Sequence, residues 1–207
     1  MLELFMKPDR IECGIDEVGA GCLAGPVTIS AVIWPNCFDS KHREVLELIK
    51  DSKKLSEKKR YFLRDFIQEH AIAYSVIDID NNKIDEINIL QARLIGFHKA
   101  IDKLDIIPEH IIVDGDKFRI YTDKTGNVVP DTKVLNGDNK YQSIAAASIL
   151  AKCHRDDLMK KIHLEYPIYN WKKNKGYGTK EHREQIIING LTPYHRKTFG
   201  TCKIKNN

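Results

Sequence analysis

Apolar residues follow two periods along this chain, and the switches between them outline an α/β protein. Ile11 to Val18 and Pro26 to Trp34 read as strands, the second rich in β-branched residues, joined through a glycine-rich turn as a hairpin-like pair. Ser56-Glu57-Lys58-Lys59 can cap a helix running to about His70, in which Phe62/Phe66 and Leu63/Ile67 repeat at i,i+4. Ala71 to Ile79 returns to a strand. From Ile84 to Leu104 the positions Ile87, Leu90, Leu94, Phe97, Ile101 and Leu104 recur every three or four residues, which predicts an amphipathic helix laid on a sheet.

His110 to Asp114 is a short buried strand that stops at an acid, and the polar, turn-rich stretch Lys117 to Val134 predicts a small ribbon. Lys140 to His163 predicts a long helix whose first half is small on several sides, from Ser143 through Lys152, and so able to approach its neighbours closely. A last helix begins after the N-cap Thr179 and stops before Gly190. Strands alternating with helices after an initial hairpin predict an α/β fold with a central mixed β-sheet flanked by helices. No repeat or linker divides the chain, so 1–207 is expected to be one domain, with about 155–207 as a basic helical segment packed on it.

The 207 residues contain no run approaching the ~18 apolar residues of a membrane span. The start lacks a basic n-region and an unbroken apolar stretch, so a cytoplasmic protein with no membrane partner is expected. Cys13, Cys22, Cys37, Cys153 and Cys202 are odd in number, scattered and free of any C-x-x-C, which suggests reduced thiols rather than a disulfide framework or a zinc knuckle. Net charge is only +4, from 33 Lys+Arg against 29 Asp+Glu, yet it is unevenly spread. Residues 141–207 carry 13 basic against 5 acidic side chains, leaving 20 against 24 for 1–140. An acidic body with a basic tail suits a nucleic-acid enzyme in which carboxylates do chemistry and lysines hold phosphates.

Gly19-Ala20-Gly21 with Gly25 superficially suggests a dinucleotide loop, but such a loop must open a helix, and a strand sequence follows here. The glycines instead permit a tight turn or close backbone approach to a ligand. Asp16-Glu17 ends an apolar strand, where charge without a partner is costly. Neighbouring residues of a regular strand face opposite ways, which argues against one shared site unless the glycines bend the chain. Asp114 lies where a buried strand ends, the place where open α/β sheets hold ligands. Asp138 could act in the same site or simply cap the following helix. Four carboxylates suggest an all-oxygen cation site suited to Mg²⁺ or Mn²⁺ rather than zinc. Two such ions about 4 Å apart promote phosphodiester hydrolysis.

These residues also carry a family resemblance. Gly14-Ile15-Asp16-Glu17-Val18-Gly19-Ala20-Gly21-Cys22-Leu23-Ala24-Gly25-Pro26-Val27 resembles the opening signature of the bacterial ribonuclease HII family. So do Asp51-Ser52-Lys53-Lys54-Leu55-Ser56, Val113-Asp114-Gly115, Gly137-Asp138, Ala145 to Lys152 with Arg155-Asp156, Asn174 to Thr179, and Thr192-Pro193-Tyr194-His195-Arg196, all in family order. The resemblance implies a ribonuclease H-like fold and hydrolysis of RNA in RNA–DNA hybrids and of ribonucleotides embedded in duplex DNA, leaving 3′-hydroxyl and 5′-phosphate ends. It maps two metal ions onto Asp16, Glu17, Asp114 and Asp138, with Asp16 expected to bridge them. It maps recognition of the 2′-hydroxyl onto the backbone of Gly19, Ala20 and Gly21, and stacking on the sugar onto Tyr177. A 2′-hydroxyl both donates and accepts, so it is the group that separates RNA from DNA.

Lys53, Lys54, Lys152, Lys175 and Arg196 are the candidate phosphate contacts, while His195 reads as a structural histidine. The family normally has Arg in the middle of the glycine turn, where this chain has Ala20. That loses a guanidinium contact to phosphate. It also suggests an alternative resembling ribonuclease HIII, which has a small residue there, prefers longer hybrids and carries an extra N-terminal domain for which this chain has no room. A non-catalytic hybrid-binding module is the other alternative. A monomer is expected, and Cys202 to Asn207 offers no evident clamp-binding peptide.

Overall fold

The computed structural model describes residues 1–35 and 38–203. Cys37 and the last four residues, on which part of the expected thiol and docking-peptide readings fall, lie outside the described residues. Five strands form the main sheet: β1 (Glu12–Val18), β2 (Val27–Ile33), β3 (Ala73–Ile79), β4 (His110–Asp114) and, at its far edge, Asp131–Val134. They lie in the order β3-β2-β1-β4 followed by that edge strand. β2 runs antiparallel to both β1 and β3, whereas β4 runs parallel to both β1 and the edge strand. Two short strands, β5 (Tyr121–Thr122) and β6 (Val128–Val129), form the expected ribbon. Its anticipated last part, Asp131–Val134, is instead β7 of the main sheet, because Ile111 to Asp114 offers it an open parallel edge.

Helices α1 (Arg43–Leu48), α2 (Glu57–His70), α3 (Asn81–Asp102), α4 (Gln142–His163), α5 (Trp171–Asn174) and α6 (Lys180–Asn189) surround this sheet. Strand alternation assigns the faces. Cys13, Ile15, Ile29, Ala31, Ile111 and Val113 pack with Phe97, Ala100 and Ile101 of α3. Val32 packs with Leu63 and Ile67 of α2 and with Ala145, Ala146 and Ala147 of α4 on the other face. Gly14 belongs to that second face, and the small first half of α4 lies directly on it. A Cβ at Gly14 would stand 2.4 Å from Ser143 Oγ and 2.5 Å from the Ile144 backbone nitrogen.

Two helices depart from the sequence expectation. Asp80 caps α3 by accepting from the Lys83 backbone N–H, but α3 breaks at Asn88, whose φ of 65° and ψ of 164° are not helical. The Asn88 side chain then accepts from Gln91 N–H at 3.1 Å and caps the second half. The break resets the helical phase, so Leu90 is exposed although its spacing places it on the buried stripe. In α2, Leu63, Phe66 and Ile67 are buried while Phe62 faces solvent.

The last turns of α4 and the chain that follows build a small core of their own from Met159, Ile162, Tyr169, Trp171, Ile186 and Cys202, which closes over Leu23 and Ala24 of the loop after β1. The thiols of Cys13, Cys22, Cys153 and Cys202 are free and buried. Among the described residues no helix is long and apolar enough to cross a membrane.

The contact of Gly14 with α4 sets the helix-to-sheet distance at the centre of the fold. Gly14→Val should therefore lower stability by about 1–3 kcal/mol or more, because rigid backbone must move. Gly21→Ala should be near neutral, since a Cβ there meets nothing within 4 Å. Thermal unfolding of the two variants checks both expectations.

Candidate active site

The C-terminal ends of β1 and β4 carry the acids. β1 remains a regular strand through its end, with Asp16 opposite Ser30 and Glu17 opposite Ile29 on β2. The two carboxylates accordingly leave on opposite faces. Asp16, on the α4 side, lines the cleft together with Ser148 and accepts from the Glu17 backbone N–H at 2.7 Å. Glu17, on the α3 side, pairs with Arg93 at 2.8 Å. No bend was needed to bring them together. Both reach one cleft of about 520 Å³ around the end of the sheet, walled also by Gly19, Ala20, Gly21, Lys53, Lys152 and Tyr177.

Asp114 stands at the end of β4 and accepts from the Gly137 backbone N–H at 2.7 Å. That bond ties it to the 3-10 turn Gly137–Asn139, which carries the buried Asp138. Asp138 is not the cap of α4, since Tyr141 occupies that position.

Burial raises the Asp16 carboxyl well above the usual carboxylate range, and the charges of Glu17 and Asp114 raise it further. Glu17 is also raised by burial, against the opposing pull of Arg93. Asp138 is raised by burial, then by Asp51 and Asp114. Glu17 Oε2 is buried with no hydrogen-bond partner. Among the described residues no three His, Cys, Asp or Glu side chains are drawn close enough together to form a ready metal cage. The donor set nevertheless fits a hard cation: it is all oxygen, electrostatically frustrated, and includes one unpartnered buried carboxylate atom.

The loop after β1 is held from beneath by two guanidinium groups, both completely buried. Arg155 of α4 donates to Pro26 O at 2.9 Å, Ala24 O at 3.0 Å and Lys175 O at 2.7 Å. Arg196 donates to Gly25 O at 3.0 Å, Ala20 O at 2.8 Å and Gly19 O at 2.7 Å. Gly19, at φ 92°, is required here because a Cβ would collide with the Arg155 guanidinium. Arg196 therefore cannot be the phosphate contact its charge and position in the sequence suggested. It is spent on backbone carbonyls, although burial lowers its pKa only to about 10 and leaves it charged at neutral pH.

The other basic candidates divide by location. Lys53 is exposed at the cleft, and Lys152 lines it while pairing with Asp156. Lys54 donates to Asn139, beside Asp138. Lys175 lies next to Tyr177 but outside the cleft wall, with its ammonium donating to Lys172 O. Tyr177 is 42% exposed at the cleft. Gly176 at φ 83° sets its position, since a Cβ at 176 would stand 2.4 Å from Ala24 O.

Sequence reasoning gave no site role to Arg60, or to Asp156 beyond its place in a family motif. Arg60 lines the cleft, donates to Leu55 O and meets the buried Asp156, which also holds Lys152. Charges at single surface-like helix positions gave no signal that they converge. Arg93 was missed for the same reason.

His195 is a satisfied structural histidine. Its Nδ1 accepts from Thr192 N–H at 2.9 Å, and its Nε2 lies 3.1 Å from His182 Nε2. His182 Nδ1 in turn donates to Tyr177 O, so this buried pair supports the tyrosine from behind.

A sequence model of the family described as Ribonuclease HII matches residues 13–202. The chain belongs to the ribonuclease HII family. Over 199 residues it is 50% identical to ribonuclease HII of Bacteroides thetaiotaomicron, with 96% of this chain and 94% of that protein covered. Its fold is similar to the ribonuclease H2 of Pyrococcus horikoshii OT3, at a TM-score of 0.74 and 26% identity over 93% of this chain and 95% of that one. It is also similar to Bst-RNase HIII in complex with Mn²⁺, at a TM-score of 0.67 and 18% identity over 96% of this chain and 71% of that one, a likeness of fold. Membership in the ribonuclease HII family makes the chain a nuclease, and the mixed sheet flanked by helices is the family's α/β architecture.

The buried histidine pair has a titration signature. Burial lowers His182, and burial with the neighbouring His182 lowers His195 to about 4, whereas the Asp78 carboxylate raises His154. The imidazole resonances of His182 and His195 should therefore stay neutral as pH falls through the ordinary histidine value of about 6.5, while His154 protonates above it. Because the unfolded chain takes up those protons first, the pair's contribution to stability is full above about 6.5 and is lost as pH falls towards 4. An NMR pH titration of the imidazole resonances checks the order.

Proposed function

We propose that this chain is an endoribonuclease that hydrolyses the RNA strand of RNA–DNA hybrids and ribonucleotides embedded in duplex DNA. The observation that carries this reading is one cleft joining the Asp16 and Glu17 carboxylates to the Gly19-Ala20-Gly21 backbone and the exposed Tyr177 ring. Acids for phosphodiester chemistry and a backbone surface able to sense a ribose hydroxyl thus lie side by side. Water adds to the phosphorus, the bond to O3′ breaks, and the products are a 3′-hydroxyl and a 5′-phosphate.

Asp16, Glu17, Asp114 and Asp138 would hold the cofactor, two Mg²⁺ or Mn²⁺ ions. Bound there, hard cations supply Lewis acidity and positive charge against the scissile phosphate. The chain's own residues do the rest. Lys53 and Lys152 neutralise backbone phosphates at the cleft, with Arg60 and Asp156 fixing the direction of Lys152. Lys54 and Lys175 extend that basic rim. Tyr177 presents a ring for the sugar beside the glycine loop, and the loop backbone meets the 2′-hydroxyl. The catalytic body and the segment from about 155 onward act as a single domain, because the recognition loop is built from both.

A second reading rests on Ala20. With a methyl group where a guanidinium would reach a phosphate, selectivity shifts from single ribonucleotides towards longer hybrids. Comparing a duplex containing one ribonucleotide with a long hybrid, Ala20→Arg should raise the rate ratio in favour of the former by about tenfold, the scale of one charge-assisted contact. An unchanged ratio counts against this reading.

Asp16→Asn should abolish cleavage of both substrates in Mg²⁺ or Mn²⁺, as should EDTA with the wild type. Because the folded state raises the Asp16 pKa, its charge opposes folding above the ordinary carboxylate range. In metal-free buffer Asp16→Asn should therefore melt at or above the wild-type temperature, by roughly 2–4 °C per kcal/mol relieved. Adding Mn²⁺ should stabilise the wild type more than the variant. Cleavage that survives in the variant would remove Asp16 from the chemistry.

A further inference from the structure

We propose that Arg196 is a positioning residue for ribose recognition: from inside the protein, it orients two successive peptide groups of the glycine loop so that their N–H groups face the cleft. This rests on the nuclease reading above and deepens it by assigning the origin of sugar selectivity to a side chain that never touches substrate.

Peptide geometry fixes the direction of these N–H groups. Each peptide unit is planar and trans, so its C=O and the following N–H point in opposite directions, and no cis peptide occurs among the described residues. Arg196 Nη2 binds Gly19 O at 2.7 Å, and Nη1 binds Ala20 O at 2.8 Å. Both carbonyls are thereby drawn inward to one buried guanidinium, and the paired N–H groups, those of Ala20 and Gly21, are turned outward. Ala20 and Gly21 both line the cleft, and the space around Gly21 is open. Two adjacent outward donors match an oxygen with two lone pairs, which a ribose 2′-hydroxyl supplies and a deoxyribose lacks.

The fork geometry is what makes arginine suitable. Its planar guanidinium presents donors at fixed angles, so two carbonyls on successive residues are held in a fixed relation. Nε anchors the same group to Gly25 O at 3.0 Å at the far end of the loop. The Arg196 backbone N–H also donates to Leu23 O at 2.8 Å, so the arginine spans the loop from 19 to 25. A lysine at 196 keeps the charge but has one nitrogen, and cannot hold Gly19 O, Ala20 O and Gly25 O in the same directions. The loop's selectivity is thus built from the C-terminal segment, a long way off in sequence.

The test measures binding of two duplexes of identical sequence, one all DNA and one with a single ribonucleotide, in Ca²⁺, for the wild type and Arg196→Lys. Cleavage of the ribonucleotide duplex by the wild type in Mn²⁺ serves as the control. The wild type should prefer the ribonucleotide duplex by roughly a hundredfold, and Arg196→Lys by less than about tenfold. A lower melting temperature with the preference intact reduces Arg196 to a structural role and overturns the proposal. A wild type that neither cleaves nor discriminates overturns the nuclease reading instead.

Should Arg196→Lys fail to reach the wild-type circular dichroism spectrum, the wild-type amide resonances decide. Those of Ala20 and Gly21 should shift further with the ribonucleotide duplex than with the all-DNA duplex. Equal shifts overturn the proposal.

Discussion

Two positive charges buried beneath a glycine turn are the constraint on which the rest of this molecule depends. Completely desolvated guanidinium groups are tolerated only when their donors are matched, and Arg155 and Arg196 are matched almost entirely by backbone carbonyls of residues 19 to 26 and of Lys175. The turn cannot relax without exposing unsatisfied donors, and the arginines cannot leave without orphaning carbonyls. One arginine comes from α4, which lies on the sheet, and the other from the segment that follows α6. The same six bonds therefore unite the sheet, its covering helix and the C-terminal core, and they shape the loop at the cleft.

Opposite this matched polar network stands an unmatched one. Asp16, Glu17 and Asp138 are all raised above ordinary carboxylates, although Arg93 pairs with Glu17 and the charge of Lys53 pulls against the shift at Glu17 and Asp138. A chain selected only for stability would not place these acids at the ends of strands with so little to neutralise them. The strain is local, and the frame around it is closely packed: Gly14 allows α4 to sit directly on β1, which brings Ser148 of that helix to the cleft beside Asp16. The carboxylates are thus held in place by packing rather than by one another, the arrangement expected where an external charge completes the site.

The His182–His195 pair shows how far support for the cleft extends. Neutral imidazoles link Thr192, Trp171 and the carbonyl of Tyr177 in a chain of hydrogen bonds, so the exposed tyrosine rests on a buried polar column. A histidine within a motif can be conspicuous in sequence and still serve only to hold its neighbour.

The sequence by itself determined the strands, the main helices, the mixed α/β layering and the nomination of the four acids, because those depend on local periodicity and on residue chemistry. It also carried the family resemblance, since ordered motifs survive without coordinates. It did not show the break at Asn88, because one residue's backbone angles leave the surrounding apolar spacing unchanged. Nor did it assign Asp131–Val134 to the main sheet, as a four-residue strand takes its partner from tertiary space. The objection that Asp16 and Glu17 face opposite ways was sound, and only the structure could answer it, because a cleft at the end of a sheet is reached from both faces. The role of Arg196 was equally hidden. Whether a charged side chain meets phosphate or carbonyl depends on its burial, and burial is decided by residues far apart in the chain.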